Sequence, residues 1–268
     1  MQFVQPDTLI PQPSNPQSLN RYAYVFNNPI LYNDPSGHKA CTDDGYCGKL
    51  SDTSYQKHIY SNAIKNVYDW NPEGNWSLKE LETIYQTGRD IERYVDGLTG
   101  GKGLAWMNEY LGGVSIFHGE AGRGSSSWPW KQIYLGKDWV NDYSSGDFWA
   151  PKQLFAHELG HTWDMSSGNY LGIGGGVGDD LMWAVFGDPR KSLRVFRYEK
   201  TGDPAIPLGD ARWSSRVNGE YGNGSINDYA AEAFSWSIYN PNYLPFGPDG
   251  VVAMVVDQTI IQQAYKIP

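Results

Sequence analysis

Two histidines four residues apart, with a glutamate beside the first, are the residue types that could hold a divalent metal and activate water. They lie in Phe155-Ala156-His157-Glu158-Leu159-Gly160-His161. Four residues advance an α-helix by slightly more than one turn, so on a helix the two imidazoles stack on one face and can reach a single ion. An H-E-x-x-H helix of this kind binds zinc through both rings and uses the glutamate as general base. The spacing therefore predicts His157 and His161 as ligands of one catalytic Zn2+ and Glu158 as the base. The competing account is an ordinary helix that happens to show two histidines and a glutamate. The chain has only five histidines, and the helical context that the motif requires is present, which favours the metal.

A catalytic zinc takes three protein ligands and keeps one position open for water, so a third ligand is expected downstream. The extension that supplies a glycine and a third histidine fails, because Asp164 and Ser167 occupy those positions. A carboxylate from a later helix is the alternative, and Ile226-Asn227-Asp228-Tyr229-Ala230-Ala231-Glu232-Ala233-Phe234 offers two. Ile226, Ala230, Ala233 and Phe234 share one helical face, while Asp228, Glu232, Ser235 and Tyr239 share the other. Either Asp228 or Glu232 could complete the site. The other would then accept from an imidazole N–H and fix the tautomer of that ring.

HELGHTWD followed by NDYAAEAFSW is similar to the anthrax lethal factor-like (gluzincin) metallopeptidases, in which the zinc motif is followed by a helix of the type E-x-F-A-E-A-F. The resemblance implies that Asp228 falls on the metal-binding carboxylate and Glu232 on the acid one turn later. It also implies that Tyr221 lies near the substrate oxyanion, although packing is an equally good use for one of 19 tyrosines. The chain departs from the family in having Asp at position 228 where the family has Glu. A shorter arm requires either a closer helix or an exchange of roles with Glu232.

The elements that must position these groups can be read from periodicity. Tyr55 to Trp70 and Leu78 to Val95 carry apolar residues at helical spacing, and Gly97 to Gly103 is expected to break the second run. Val114 to Phe117 and Gln132 to Leu135 read as short strands separated by a loop of Gly, Ser and Trp. Lys152 to Met165 reads as the metal helix, with Phe155, Ala156, Leu159 and Trp163 forming a core face opposite the metal face. A glycine-rich loop, GNYLGIGGGVGDD, follows as either a lid or a plain connection, and helices are predicted over Ile226 to Tyr239 and Val251 to Tyr265. The fold class is α+β, a helix-dominated zincin-like domain with a small β-sheet. By the same resemblance, the strand at Gln132 to Leu135 would be the edge to which an extended peptide adds.

Composition excludes other classes. The 268 residues carry a formal charge of −9 with no basic run, which argues against electrostatic nucleic-acid binding. No apolar stretch approaches the roughly 18 to 20 residues that cross a bilayer. Cys41 and Cys47 stand alone in CTDDGYC, as surface thiols or a small-loop disulfide, because a zinc site would need two further soft ligands.

Residues 1 to 20 are rich in Pro, Gln, Asn and Ser and read as an arm, and Arg21 to Asn33 reads as one marginal hairpin. The words NPQSLNRYAYVFNNPILYNDPSGH resemble the last segment of the repeat-associated core of Rhs and YD-repeat proteins. That family builds a large β-shell ending at this motif, followed by a variable effector that is often a toxin. The resemblance implies that residues 1–38 are the stub of such a core, with Asp34 either a self-cleavage residue or a plain Asp-Pro turn, and that residues 39–268 are a metallopeptidase effector. It further implies secretion or delivery into a target cell, a protein or peptide substrate, and an Rhs shell and an immunity protein as partners. The rival is a non-catalytic Rhs-linked binding module whose 11 Trp and 19 Tyr contact a partner and whose metal, if present, is structural.

Overall fold

The computed structural model describes residues 52–119, 124–127, 130–137, 139–140, 151–168, 176–186, 226–239 and 251–268. The N-terminal stub, Cys41, Cys47 and Tyr221 lie outside the described residues.

The first half of the chain builds a helical frame around a small sheet. Helix α1 (Thr53–Tyr68) starts where the Asp52 carboxylate accepts from Ser54 N–H at 2.9 Å, and ends at Asp69, whose φ of 55° turns the chain into β1 (Trp70–Pro72). Helix α2 (Leu78–Thr99) opens with a capping box. Ser77 N–H donates to Glu80 Oε2 at 2.7 Å, and Glu80 N–H donates to Ser77 Oγ at 3.3 Å. Gly88 of α2 lies so close under the Tyr68 ring that any larger side chain would collide with it. Helix α3 (Gly103–Leu111) and strands β2 (Val114–Gly119), β3 (Gly124–Ser127) and β4 (Gln132–Gly136) complete the frame.

The sheet order is β1-β2-β4-β3. Strands β1, β2 and β4 are parallel, with Trp70 opposite Val114 and Ile116 opposite Ile133, and β3 runs antiparallel to β4 with Gly124 opposite Leu135. Strand β4 is therefore interior. The sequence-based expectation that Gln132 to Leu135 forms the peptide-binding edge is corrected: the edge strand on that side is β3, inside the segment expected to be loop. Its Gly-Ser-Ser-Ser sequence carries no alternating apolar signal, and cross-strand pairing with β4 overrides its low strand propensity.

Helices α4 (Pro151–Ser166), α5 (Val177–Phe186), α6 (Ile226–Tyr239) and α7 (Val251–Lys266) form the second half of the described fold. Among the described residues none of the helices is long and apolar enough to cross a membrane. The class is α+β, as expected.

The core is aromatic at its centre. Trp106, Trp163 and Phe234, from α3, α4 and α6, are buried with ring centroids 5.0 to 6.2 Å apart. Two buried indole N–H groups need an acceptor there. Gln263 of α7 supplies it: its Oε1 accepts from Trp106 Nε1 at 3.0 Å and from Trp163 Nε1 at 2.9 Å, and its Nε2 donates to Ser167 Oγ at 2.8 Å.

Two polar arrangements stiffen the frame. Lys102 Nζ donates to the carbonyls of Ala264 and Ile267 at the end of α7. At the start of α2, Glu80 Oε1 lies 3.0 Å from His118 Nε2, and the Trp76 ring lies over His118 with centroids 3.9 Å apart. Burial alone would raise the Glu80 carboxyl, but the Ser77 N–H and hydroxyl together with His118 outweigh it and hold the group below its ordinary value. His118 thus serves the frame.

Candidate metal centre

Helix α4 is placed by its apolar residues. Phe155 meets Trp70 of β1 edge-on at 5.5 Å, Trp163 joins the aromatic centre, and Leu154 and Leu159 are buried in the same core. The helix packs against α2, α3, α6 and the β3–β4 side of the sheet. As a result it is buried on nearly every side, with Gln153 to Gly160 and Thr162 to Asp164 all buried. The face that bears His157 is covered by α6, and His161 is the half-buried member of the motif.

Within that face His157 and His161 approach edge to face, with ring centroids 4.8 Å apart and planes at 89°. Burial, and secondarily the neighbouring His161, hold His157 well below the ordinary histidine value. The ring is therefore neutral at physiological pH, the form in which imidazole ligates a metal. Glu158 is buried on the same helix, one position round from His157.

Helix α6 brings the carboxylate. Glu232 is buried, and its Oε1 lies 3.7 Å from His157 Nδ1. That distance is too long for a direct hydrogen bond, yet it places the carboxylate on the Nδ1 side of the ring. The other oxygen, Oε2, accepts from Trp236 Nε1 at 2.8 Å, which fixes the orientation of the group. A carboxylate on the Nδ1 side of a metal-binding imidazole would leave Nε2 for the ion, and Glu232 lies on that side of His157. The backbone of Asp228 lies in α6, one turn before Glu232; its side chain is outside the described residues.

The donor chemistry fits zinc: two imidazoles on one helix, one of them held neutral, with carboxylates on a facing helix. Among the described residues no group of three His, Cys, Asp or Glu side chains is arranged to hold an ion.

Several working residues escape a reading by motif. Trp236 follows Glu232 by four positions, which is the helical spacing for a side-chain pair, but an indole in an apolar run signals packing rather than orientation of an acid. Asp164 falls outside the zinc motif. Its Oδ1 accepts from Gly178 N–H at 2.8 Å, so it holds the first turn of α5. The predicted glycine-rich loop accordingly ends earlier than expected: Val177 to Asp180 are helical, and residues 169–175 lie outside the described residues.

No protein-family profile, no curated protein and no solved structure matches the chain.

Proposed function

We propose that the chain is a zinc-dependent endopeptidase of zincin-like fold, with His157 and His161 as ligands, Asp228 as the third ligand and Glu158 as general base. The observation that carries the reading is the buried His157 with the Glu232 carboxylate on the Nδ1 side of its ring, on a helix that also bears Glu158 and His161. A purely structural metal has no use for a buried glutamate beside an open coordination position.

Zinc bound at such a site supplies a water that ionises near pH 7 and a Lewis acid for the substrate carbonyl. Glu158 takes the proton as water attacks the peptide carbonyl and returns it to the departing amine. Glu232, steadied by Trp236, lies on the Nδ1 side of His157 and favours the proton on that nitrogen. Tyr221 is assigned to the oxyanion on resemblance alone. Strand β3 offers the substrate its outer edge: it is antiparallel to β4, lies against α4, and among the described residues has no strand on its other side. An extended peptide adding there would be carried along the metal helix.

The resemblance of residues 5–38 to the end of an Rhs core supports a further step. The peptidase would be the effector end of a secreted or delivered protein, with an Rhs shell and an immunity protein as partners.

The test is zinc content by elemental mass spectrometry together with cleavage of a denatured protein mixture, read by mass spectrometry of new termini. The wild type should hold about one zinc and generate new termini, and Glu158→Gln should keep the metal and cleave nothing. A Glu158→Gln protein as active as the wild type, or a wild type that holds no zinc after reconstitution, overturns the reading.

A further inference from the structure

The turn that joins β3 to β4 combines exposure with backbone strain. Trp130 is 72% exposed, whereas Trp70, Trp76, Trp106, Trp139, Trp163 and Trp236 are all buried. The next residue, Lys131, holds a left-handed backbone with φ of 47° although it carries a Cβ. Such a conformation persists only where its surroundings impose it. Here they do: Lys131 Nζ donates to the Gly112 carbonyl at 2.8 Å, and the Lys131 carbonyl accepts from Ser115 N–H at 3.0 Å. Gln132 then enters the sheet between Ser115 of β2 and Ser127 of β3. The indole is therefore offered to solvent from an anchored base, which lowers the ordering cost of any contact it makes.

The place of the indole matters. Trp130 stands three residues beyond Ser127, the end of the strand whose outer edge carries no further strand among the described residues. The same strand packs against α4, the helix of His157, Glu158 and His161. A strand edge presents main-chain N–H and C=O groups in a row, and an extended polypeptide is the ligand that satisfies such a row. Main-chain pairing does not discriminate between sequences, so selectivity must come from side-chain contacts beside it. A chain laid along β3 past Ser127 continues towards Trp130. The large apolar face of the indole gains most by covering another apolar side chain, and the adjacent Lys131 ammonium disfavours a cation there.

We propose that Trp130 is the specificity-determining residue of the β3 edge: it selects extended polypeptides that carry a large apolar side chain, such as Phe or Leu, at one fixed position beyond the segment paired with Gly124–Ser127. The inference rests on the peptidase reading above for its place in catalysis, and it names the substrate class of that site. The binding itself depends on β3 and Trp130 alone.

Binding is measured first, on Glu158→Gln protein with labelled, alanine-based peptides that carry one Phe, Leu, Lys or Glu at scanned positions. Fluorescence anisotropy gives affinity, and hydrogen exchange reports protection of Gly124–Ser127. Phe and Leu peptides should bind roughly tenfold more tightly than Lys or Glu peptides and protect the strand. Adding Trp130→Ala should erase the preference, and Trp130→Phe should keep most of it. In cleavage of a denatured protein mixture, the wild type should show apolar residues enriched at one position relative to the broken bond. Trp130→Ala should lose that enrichment and raise KM roughly tenfold while keeping its zinc. Peptides that bind alike whatever their side chain, binding that leaves Gly124–Ser127 unprotected, or a Trp130→Ala protein with the wild-type preference overturns the proposal. The two levels separate cleanly. A wild type that holds no zinc yet binds Phe peptides through Trp130 supports the edge site and removes the peptidase reading; one that holds zinc and cleaves with no apolar preference removes the proposal and leaves the peptidase.

Discussion

Glu232 divides its two oxygens between a tryptophan and a histidine: Oε2 accepts from Trp236 Nε1 at 2.8 Å while Oε1 faces His157 Nδ1 at 3.7 Å. On the proposed zinc reading, an acid in that position would tune a ligand without being one. Glu232→Gln should therefore weaken zinc binding by roughly 10- to 100-fold without abolishing it. Trp236→Phe should act in the same direction and more weakly. Chelator competition measures both, and complete loss of zinc in Glu232→Gln with retention in Asp228→Ala would reverse the two carboxylates.

Metal should also stabilise the fold, because the ligands come from two helices that unfolding separates. A zinc present at about a thousand times its dissociation constant contributes roughly 4 kcal/mol. Calorimetry should show Tm falling by several degrees on dialysis against EDTA. His161→Ala should already have the lower Tm and should not respond to EDTA. An unchanged wild-type Tm on chelation would speak against a site joining α4 to α6.

Asp164→Ala removes the acceptor for Gly178 N–H at the buried start of α5. The expected cost is about 2 kcal/mol, read from urea unfolding. Asp164→Asn keeps an acceptor oxygen and should restore most of it. Equal loss in both variants would mean that charge, and not the hydrogen bond, is what matters there.

Glu80 sets an acid-side dependence. Its folded-state carboxyl is held below the ordinary value, so ionised Glu80 contributes stability that is present above the usual carboxylate pKa and is lost as pH falls through the depressed folded value. Urea midpoints measured from pH 6 down to pH 3 should fall less steeply for Glu80→Gln than for wild type. Parallel curves would place the acid sensitivity elsewhere.

The helices were legible where a long apolar period coincided with punctuation. Ile226–Tyr239 stands as read, Pro151–Ser166 is one residue longer at each end than the reading, and Val251–Lys266 is one residue longer at its C-terminal end. The second helix runs through Gly97 and stops at Gly100, whose φ of 70° is the actual terminator. A single exposed glycine inside a helix costs about 1 kcal/mol, which tertiary packing easily offsets. Helix α3 is hidden because its nine residues follow Gly100 and Gly101 after a single residue, and Trp70–Pro72 because a strand of three residues has no period to read. At the proposed metal centre the motif of His157, Glu158 and His161 is legible by its spacing. That Glu232 lies on the Nδ1 side of His157 is not, since it depends on which ring atom faces which helix, a fact of three-dimensional packing.

The amide of Gln263 joins residues 157 and 100 positions away in the chain. Neither local helix formation nor hydrophobic collapse can satisfy the two indole N–H groups before α7 arrives. Each would be left in an apolar centre at a cost of about 1 to 3 kcal/mol. Detaching α7 alone is therefore expensive, which couples its fraying to the integrity of α3 and α4. The domain should open as one cooperative unit instead of shedding its last described helix first.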